Sequence, residues 1–126
     1  MPDAPDAAFS SAQTLVRTLF GDAAELDGLA WQPFYPGVEI VSLYQTPAGG
    51  PSAALLKYAP GSRVPRHRHA GYEHILILRG SQSDDTGTYA TGEFVINLPG
   101  TVHAVWSDGG CVALLIWEKP PVLIEP

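Results

Sequence analysis

From Val38 onward, short apolar runs alternate with clusters of glycine, proline and aspartate. The runs Val38–Tyr44, Ala53–Tyr58, Glu73–Leu78, Glu93–Asn97, His103–Trp106 and Val112–Trp117 have the length and the β-branched and aromatic content of strands. Between them lie turn signals: Pro47-Ala-Gly-Gly-Pro51, Pro60-Gly61, Gly80 with Asp84-Asp85-Thr-Gly87, Pro99-Gly100 and Asp108-Gly-Gly110. Short strands at such spacing predict an all-β sandwich or barrel. The pattern is different before Trp31. Residues 1–9 read as a frayed tail. In the next stretch Ser10 and Gln13 have capping-box spacing, Leu15, Val16, Leu19 and Phe20 share a helical face, and Gly21 can end the turn. A short amphipathic helix is expected there, although the Thr and Val residues would also suit a strand. The expected division is a tail and short helix over 1–20 and a single β-barrel domain over 21–126. Near the C-terminus, Val122–Ile124 is an apolar patch able to extend a sheet edge.

Composition narrows the picture. The 126 residues suit one domain with a real core. Glycine (13) and proline (12) together make about a fifth of the chain, against roughly 12% in average proteins, which fits many tight turns. A net charge of −6 repels phosphate backbones, so nucleic acid is not an expected partner. The longest apolar run, Cys111–Trp117, falls far short of the roughly 20 residues needed to span a bilayer, so no membrane association is expected. The first residues, MPDAPDAAF, lack the basic and apolar segments of a secretory signal. The single cysteine, Cys111, cannot form an internal disulfide and reads as a small buried hydrophobe. A cytoplasmic location is the expectation.

The chemistry concentrates in PRHRHAGYEHILILRG. His67 and His69 are two apart, so an extended strand points both to one face and sends Arg66 and Arg68 to solvent. Glu73 follows an Ala70-Gly71 turn, from which a hairpin can return its carboxylate to the two imidazoles. His103 opens a later strand after Pro99-Gly100. Three imidazoles and a carboxylate converging inside a barrel form a metal site. Imidazole suits Zn, Fe, Ni and Cu, and the carboxylate also admits Mn. His74 alternates to the opposite face, as do Leu76 and Leu78, while Ile75 and Ile77 share the inward face with Glu73. By the same parity Val105 shares the face of His103, and Trp106 faces away. Apolar groups on both faces of one strand imply that the outer face is covered as well, and a homodimer is expected.

These residues resemble the cupin superfamily. Its first motif, G-x5-H-x-H-x3,4-E-x6-G, is filled by Gly61, His67, His69, Glu73 and Gly80. Its second, G-x5-P-x-G-x2-H-x3-N, is met by Gly92, Gly100 and His103, with Leu98 at the proline position, Pro99 one place later, and Ser107 in place of asparagine. The resemblance implies a double-stranded β-helix, or jelly-roll barrel, holding one divalent metal ion (Zn, Fe, Mn or Ni) through His67, His69, Glu73 and His103. A narrower resemblance is to ChrR-type cupins, carried by Trp31, Pro33, Pro36, Gly37 and Val38, and by Gly80, Asp84, Gly87, Tyr89 and Gly92. In the anti-sigma factor that names the family, such a cupin follows an N-terminal helical zinc domain that grips the sigma factor. Here only about thirty residues without Cys or His precede the barrel, so a sigma factor is not an expected partner. Other relatives of this cupin type include acetylacetone-cleaving dioxygenases, in which three histidines usually hold iron; there Glu73 would be an extra ligand or would lie just outside the ligand set.

The resemblance leaves two functions in competition. One is a metalloenzyme of dioxygenase-like or related type acting on a small carbonyl or enol compound. The other is a non-catalytic zinc-binding sensory or regulatory module. No catalytic base is nominated from the sequence, and enzymatic activity stays open at this stage. A small-molecule ligand or substrate is the expected partner.

Overall fold

The computed structural model describes Leu19 and residues 26–124. The chain divides into two units, 1–30 and 31–126. The helix expected within Ser10–Gly21 lies outside the described residues, apart from a turn at Leu19. The first unit also contains one helical turn at Leu26 and Asp27, whose Leu26 carbonyl accepts from the Leu29 N–H at 3.3 Å.

The second unit is built of antiparallel strands: β1 (Gln32–Tyr35), β2 (Val38–Gln45), β3 (Ser52–Tyr58), β4 (Ser62–Arg68), β5 (Glu73–Asp84), β6 (Thr88–Ala90), β7 (Phe94–Asn97), β8 (Val102–Ser107), β9 (Cys111–Trp117) and β10 (Val122–Leu123). They run in the order β1-β2-β3-β9-β5-β8-β4-β10, with β6 and β7 also paired to β5. The first half of β5 lies between β9 and β7, and its second half pairs β6 and β8. One long, bent strand therefore belongs to both walls and curls the sheet around its apolar face. This is the all-β cupin-type barrel that the motifs imply.

The core lies on the concave side. Val38, Leu56, Tyr58, Val64, Ile75, Ile77, Val105, Ala113, Leu115 and Trp117 pack there, with Ile77 and Ala113 fully buried. Ile75 and Ile77 point inward with Glu73, as alternation requires.

Two β-bulges break that alternation and place the site. In β4, Pro65 has no N–H to give the ladder, and the pairing with β8 slips between Val64 and His67. Val64 and His67 are three apart, yet both face inward; strict alternation from Val64 would have brought Arg66 inside instead. In β5 the slip falls between Ile77 and Arg79. Beyond it Gly80, with φ of 68°, presses so close to the turn before β9 that a Cβ there would lie 2.1 Å from the Gly110 carbonyl oxygen. The sequence marks Gly80 as a turn, but the strand continues through it to Asp84. The apolar patch at Val122–Ile124 does add to an edge, since Val122 and Leu123 pair with Arg68 and His67 of β4.

Candidate metal centre

His67 lies on β4 directly opposite His103 of β8. His69 follows the end of β4, and Glu73 is the first residue of β5. All four side chains are buried, and one ligand atom from each falls within 4.8 Å of the others. The His103 Nε2 atom lies 3.0 Å from His67 Nε2 and 3.1 Å from His69 Nε2. Glu73 Oε1 is 3.1 Å from His69 Nε2 and 3.8 Å from His103 Nε2.

The outer nitrogens decide what the inner ones offer. His67 Nδ1 is 2.8 Å from the Pro65 carbonyl, which can only accept, so Nδ1 carries the proton. His103 Nδ1 faces the Asp84 carboxylate at 3.0 Å and is a donor for the same reason. His69 Nδ1 is 2.9 Å from Thr101 Oγ1, whose own hydrogen goes to the Leu98 carbonyl at 2.5 Å, so Oγ1 accepts as well. Each neutral imidazole therefore turns an Nε2 lone pair toward the same point. With the Glu73 carboxylate, four electron-pair donors converge in a place that water barely reaches. Such a set fits a divalent cation.

Glu73 is held by its two cross-strand neighbours. Asn97 of β7 donates to Oε1 at 3.1 Å, and the Trp117 indole N–H of β9 donates to Oε2. Burial pushes the Glu73 carboxyl up, but in the metal-free chain the imidazoles of His69, His103 and His67, acting as positive partners when protonated, outweigh it and bring it below its ordinary value. Burial lowers His67, helped by His103 and His69, against the pull of the Pro65 carbonyl.

Asp84 is the organising carboxylate outside the cluster. Its Oδ1 accepts from the Thr86 N–H (2.8 Å), the Gly87 N–H (3.1 Å) and the Tyr89 hydroxyl (3.0 Å), leaving Oδ2 for His103. The Asp84, Gly87 and Tyr89 positions of the narrower motif thus form one turn that aims a histidine. Burial raises the Asp84 carboxyl, but these hydrogen bonds more than reverse the effect, and its pKa lies below the ordinary value. Sequence reasoning quoted Asp84 without giving it a role, and it missed Thr101, Asn97 and the polar end of Trp117. The motif signalled Asp84; the other three depend on register across strands distant in sequence.

The remaining candidates fall outside the cluster. His74 faces outward and stacks on Phe94 with a 5.7 Å centroid separation and 10° between planes. Arg66 pairs with Asp85 at 2.6 Å on the surface. Cys111 is a core residue whose thiol burial pushes up to about 12, which makes it a poor nucleophile.

Beside the donor set is a cavity of about 270 Å³. His67 and Glu73 form part of its wall, and most of the rest is aromatic or aliphatic, including Phe34, Tyr35, Leu115 and Trp117. Among the described residues, no helix is long and apolar enough to cross a membrane.

Comparison with known proteins agrees with this fold. Residues 21–119 match the model of the ChrR cupin-like domain. The anti-sigma-E factor ChrR of Cereibacter sphaeroides is 30% identical over 111 residues, covering 80% of this chain and 51% of that protein. The chain thus spans about half the length of this curated relative. Among solved structures, Rhodobacter sphaeroides SigE in complex with the anti-sigma ChrR is similar with a TM-score of 0.66 and 28% identity, covering 73% of this chain and 50% of the other. A putative acetylacetone dioxygenase from Methylibium petroleiphilum has a TM-score of 0.73 at 18% identity, covering 80% and 78%, a likeness of fold alone. By this match over most of its length, the chain belongs to the ChrR cupin-like domain family.

Proposed function

We infer that His67, His69, Glu73 and His103 bind one divalent metal ion (Zn, Fe, Mn or Ni), and that the chain is a metalloenzyme acting on a small carbonyl or enol compound. The observation that carries this reading is the wall shared by the donor set and the apolar cavity. A cavity of about 270 Å³ lies just below the roughly 300–1,000 Å³ of drug-sized pockets, so it suits a small ligand. Bound at these residues, the ion would polarise a ligand oxygen as a Lewis acid or, if iron, activate dioxygen. The chain's own residues do the rest. The Pro65 carbonyl, Thr101 and Asp84 hold the three imidazoles in the metal-binding tautomer. Asn97 and Trp117 fix the Glu73 carboxylate, and an aromatic and aliphatic wall flanks the reacting face.

Elemental analysis of protein purified without added metal, beside the double variant His67→Ala, His103→Ala, tests the metal site. About one ion per chain, lost in the variant, is expected; no metal even after reconstitution would exclude it. Oxygen-uptake screens with diketones and enols then test turnover of the iron-loaded form. The second reading, a non-catalytic zinc-dependent regulatory module, draws support from the 30% identity to an anti-sigma factor. Stoichiometric zinc with no turnover would favour it.

A further inference from the structure

Of the four donors, His67 and Glu73 belong to the wall of the apolar cavity. The other two, His69 and His103, belong to the wall of a second, smaller recess of about 170 Å³. The donor set is therefore a partition with a space on either side. The two spaces differ in chemistry. Phe34, Leu56, Val64, Ile75, Leu115 and Trp117 set the character of the apolar cavity. The recess wall instead carries four oxygen-bearing side chains, Asp84, Thr86, Asn97 and Thr101. Asp84 Oδ2 and Thr101 Oγ1 lie at the outer edges of the His103 and His69 rings, and Asn97 reaches Glu73 through its amide nitrogen. A divalent cation travels with its water shell. Giving up that shell against hydrocarbon is costly, whereas carboxylate, amide and hydroxyl oxygens can replace waters one at a time. At roughly 30 Å³ per water, the recess has room for several.

We propose that this recess is the port through which the centre takes up and releases a hydrated divalent cation, leaving the apolar cavity to the organic ligand; the proposal rests on the metal-site reading. The rings of His69 and His103 stand between the recess and the point where their Nε2 atoms meet, with centroids 4.5 Å apart and 71° between planes. Their holds are unequal. His103 is held by a carboxylate, whereas His69 is held by the neutral hydroxyl of Thr101, which lies in an exposed turn. A charged acceptor holds more strongly than a neutral one, so the His69 ring is the easier of the two to turn aside.

The two spaces offer a matched pair of test positions. Leu98, 55% exposed, belongs to the recess wall, and Leu123, 53% exposed, to the wall of the apolar cavity. A charge at the mouth a cation uses changes the local cation concentration, and with it the rate of uptake. Metal-free full-length protein is mixed with cobalt(II) at low ionic strength, and uptake is followed by cobalt absorption. Leu98→Glu is expected to load about threefold faster than wild type and Leu98→Lys about threefold slower, the effect of one charge at about 10 Å in water. Both differences should fade at 1 M salt. Leu123→Glu and Leu123→Lys should load at the wild-type rate. Thr86→Glu and Thr86→Lys repeat the comparison from another turn of the recess, in case a Leu98 variant misfolds. A rate that follows the charge at Leu123 rather than at Leu98 and Thr86, or that follows neither, would overturn the port. Equilibrium cobalt content separates the two readings. About one ion per chain with rates indifferent to Leu98 and Thr86 would keep the metal site and remove the port, whereas no bound cobalt would refute both.

Discussion

Each of the three imidazoles is turned by a different acceptor, a backbone carbonyl for His67, a hydroxyl for His69 and a carboxylate for His103. The carboxylate is the most informative to alter. In Asp84→Asn, the three donors at Oδ1 retain an oxygen there, which leaves the new NH₂ facing His103 Nδ1. That nitrogen must then accept, the proton moves to Nε2, and the lone pair is lost from the centre. Metal affinity, read by competition with a chelator, is expected to fall about 10–100-fold, with the melting temperature of the metal-free protein changed by only a few degrees. Equal affinity would show that Asp84 does not set the tautomer. Acid should also act through these residues. His67, Glu73 and Asp84 all have pKa values below their ordinary 6.5, 4.5 and 3.8 in the folded chain. The unfolded chain therefore takes up protons first as the pH falls, and folding loses stability, beginning near 6.5 with His67 and continuing through the carboxylates. Metal-free protein should melt at a lower temperature at pH 5 than at pH 8; equal melting temperatures would contradict the shift at His67. Of the four cluster residues, His67, His69 and Glu73 were legible because their spacing is local, and His103 because the second motif of the resemblance marks it. Thr101, Asn97 and Trp117 were not, since they reach the site only through pairing between distant strands.

Strand alternation predicted the inward row of Glu73, Ile75 and Ile77 but stopped β5 at Leu78, because glycine usually interrupts a strand. Here the glycine is what lets β5 continue. The bulge after Ile77 and the positive φ at Gly80 bend the strand from one wall to the other, and that bend places Asp84 against His103. β4 is not among the apolar runs, although His67 and His69 read as lying on an extended strand; the register slip after Val64, at Pro65, is what points His67 inward. The role of Gly80 can be separated from simple backbone strain by comparison with Gly92. Both have positive φ, but a Cβ at Gly92 would meet nothing within 4 Å, whereas one at Gly80 would strike the Gly110 carbonyl. Gly92→Ala is expected to cost about 1–2 kcal/mol, the penalty of the left-handed conformation alone. Gly80→Ala should cost at least about 2 kcal/mol more, since two backbones would have to separate, and should weaken metal binding by displacing Asp84. Denaturant unfolding of both variants measures the difference; equal losses would remove the close approach from the argument.

At the scale of the whole molecule, the convex side of the sheet remains to be explained. The register sets Ile96 of β7, His74 of β5 and Ile116 of β9 in one row, and Phe94, Leu76 and Leu114 in the next. Phe94 is 57% exposed and Ile96 51%, and Ile116 is also exposed. A contiguous apolar face of this kind on a strongly acidic chain is unusual unless something covers it. A second copy of the same face is a natural cover, because two-fold pairing sets like residues on like residues and brings the flat Phe94–His74 stack into contact with its counterpart. Self-association is accordingly expected, with light scattering giving a mass of about twice 13.4 kDa. Placing a charge at the centre of the face, as in Phe94→Asp or Ile96→Lys, should shift the protein toward monomer without loss of bound metal, since both side chains point away from the cavity. A wild-type mass of 13.4 kDa at all concentrations would reject the dimer. Monomeric variants that also lost their metal would instead tie the convex face to the folding of β5, whose first residue is Glu73.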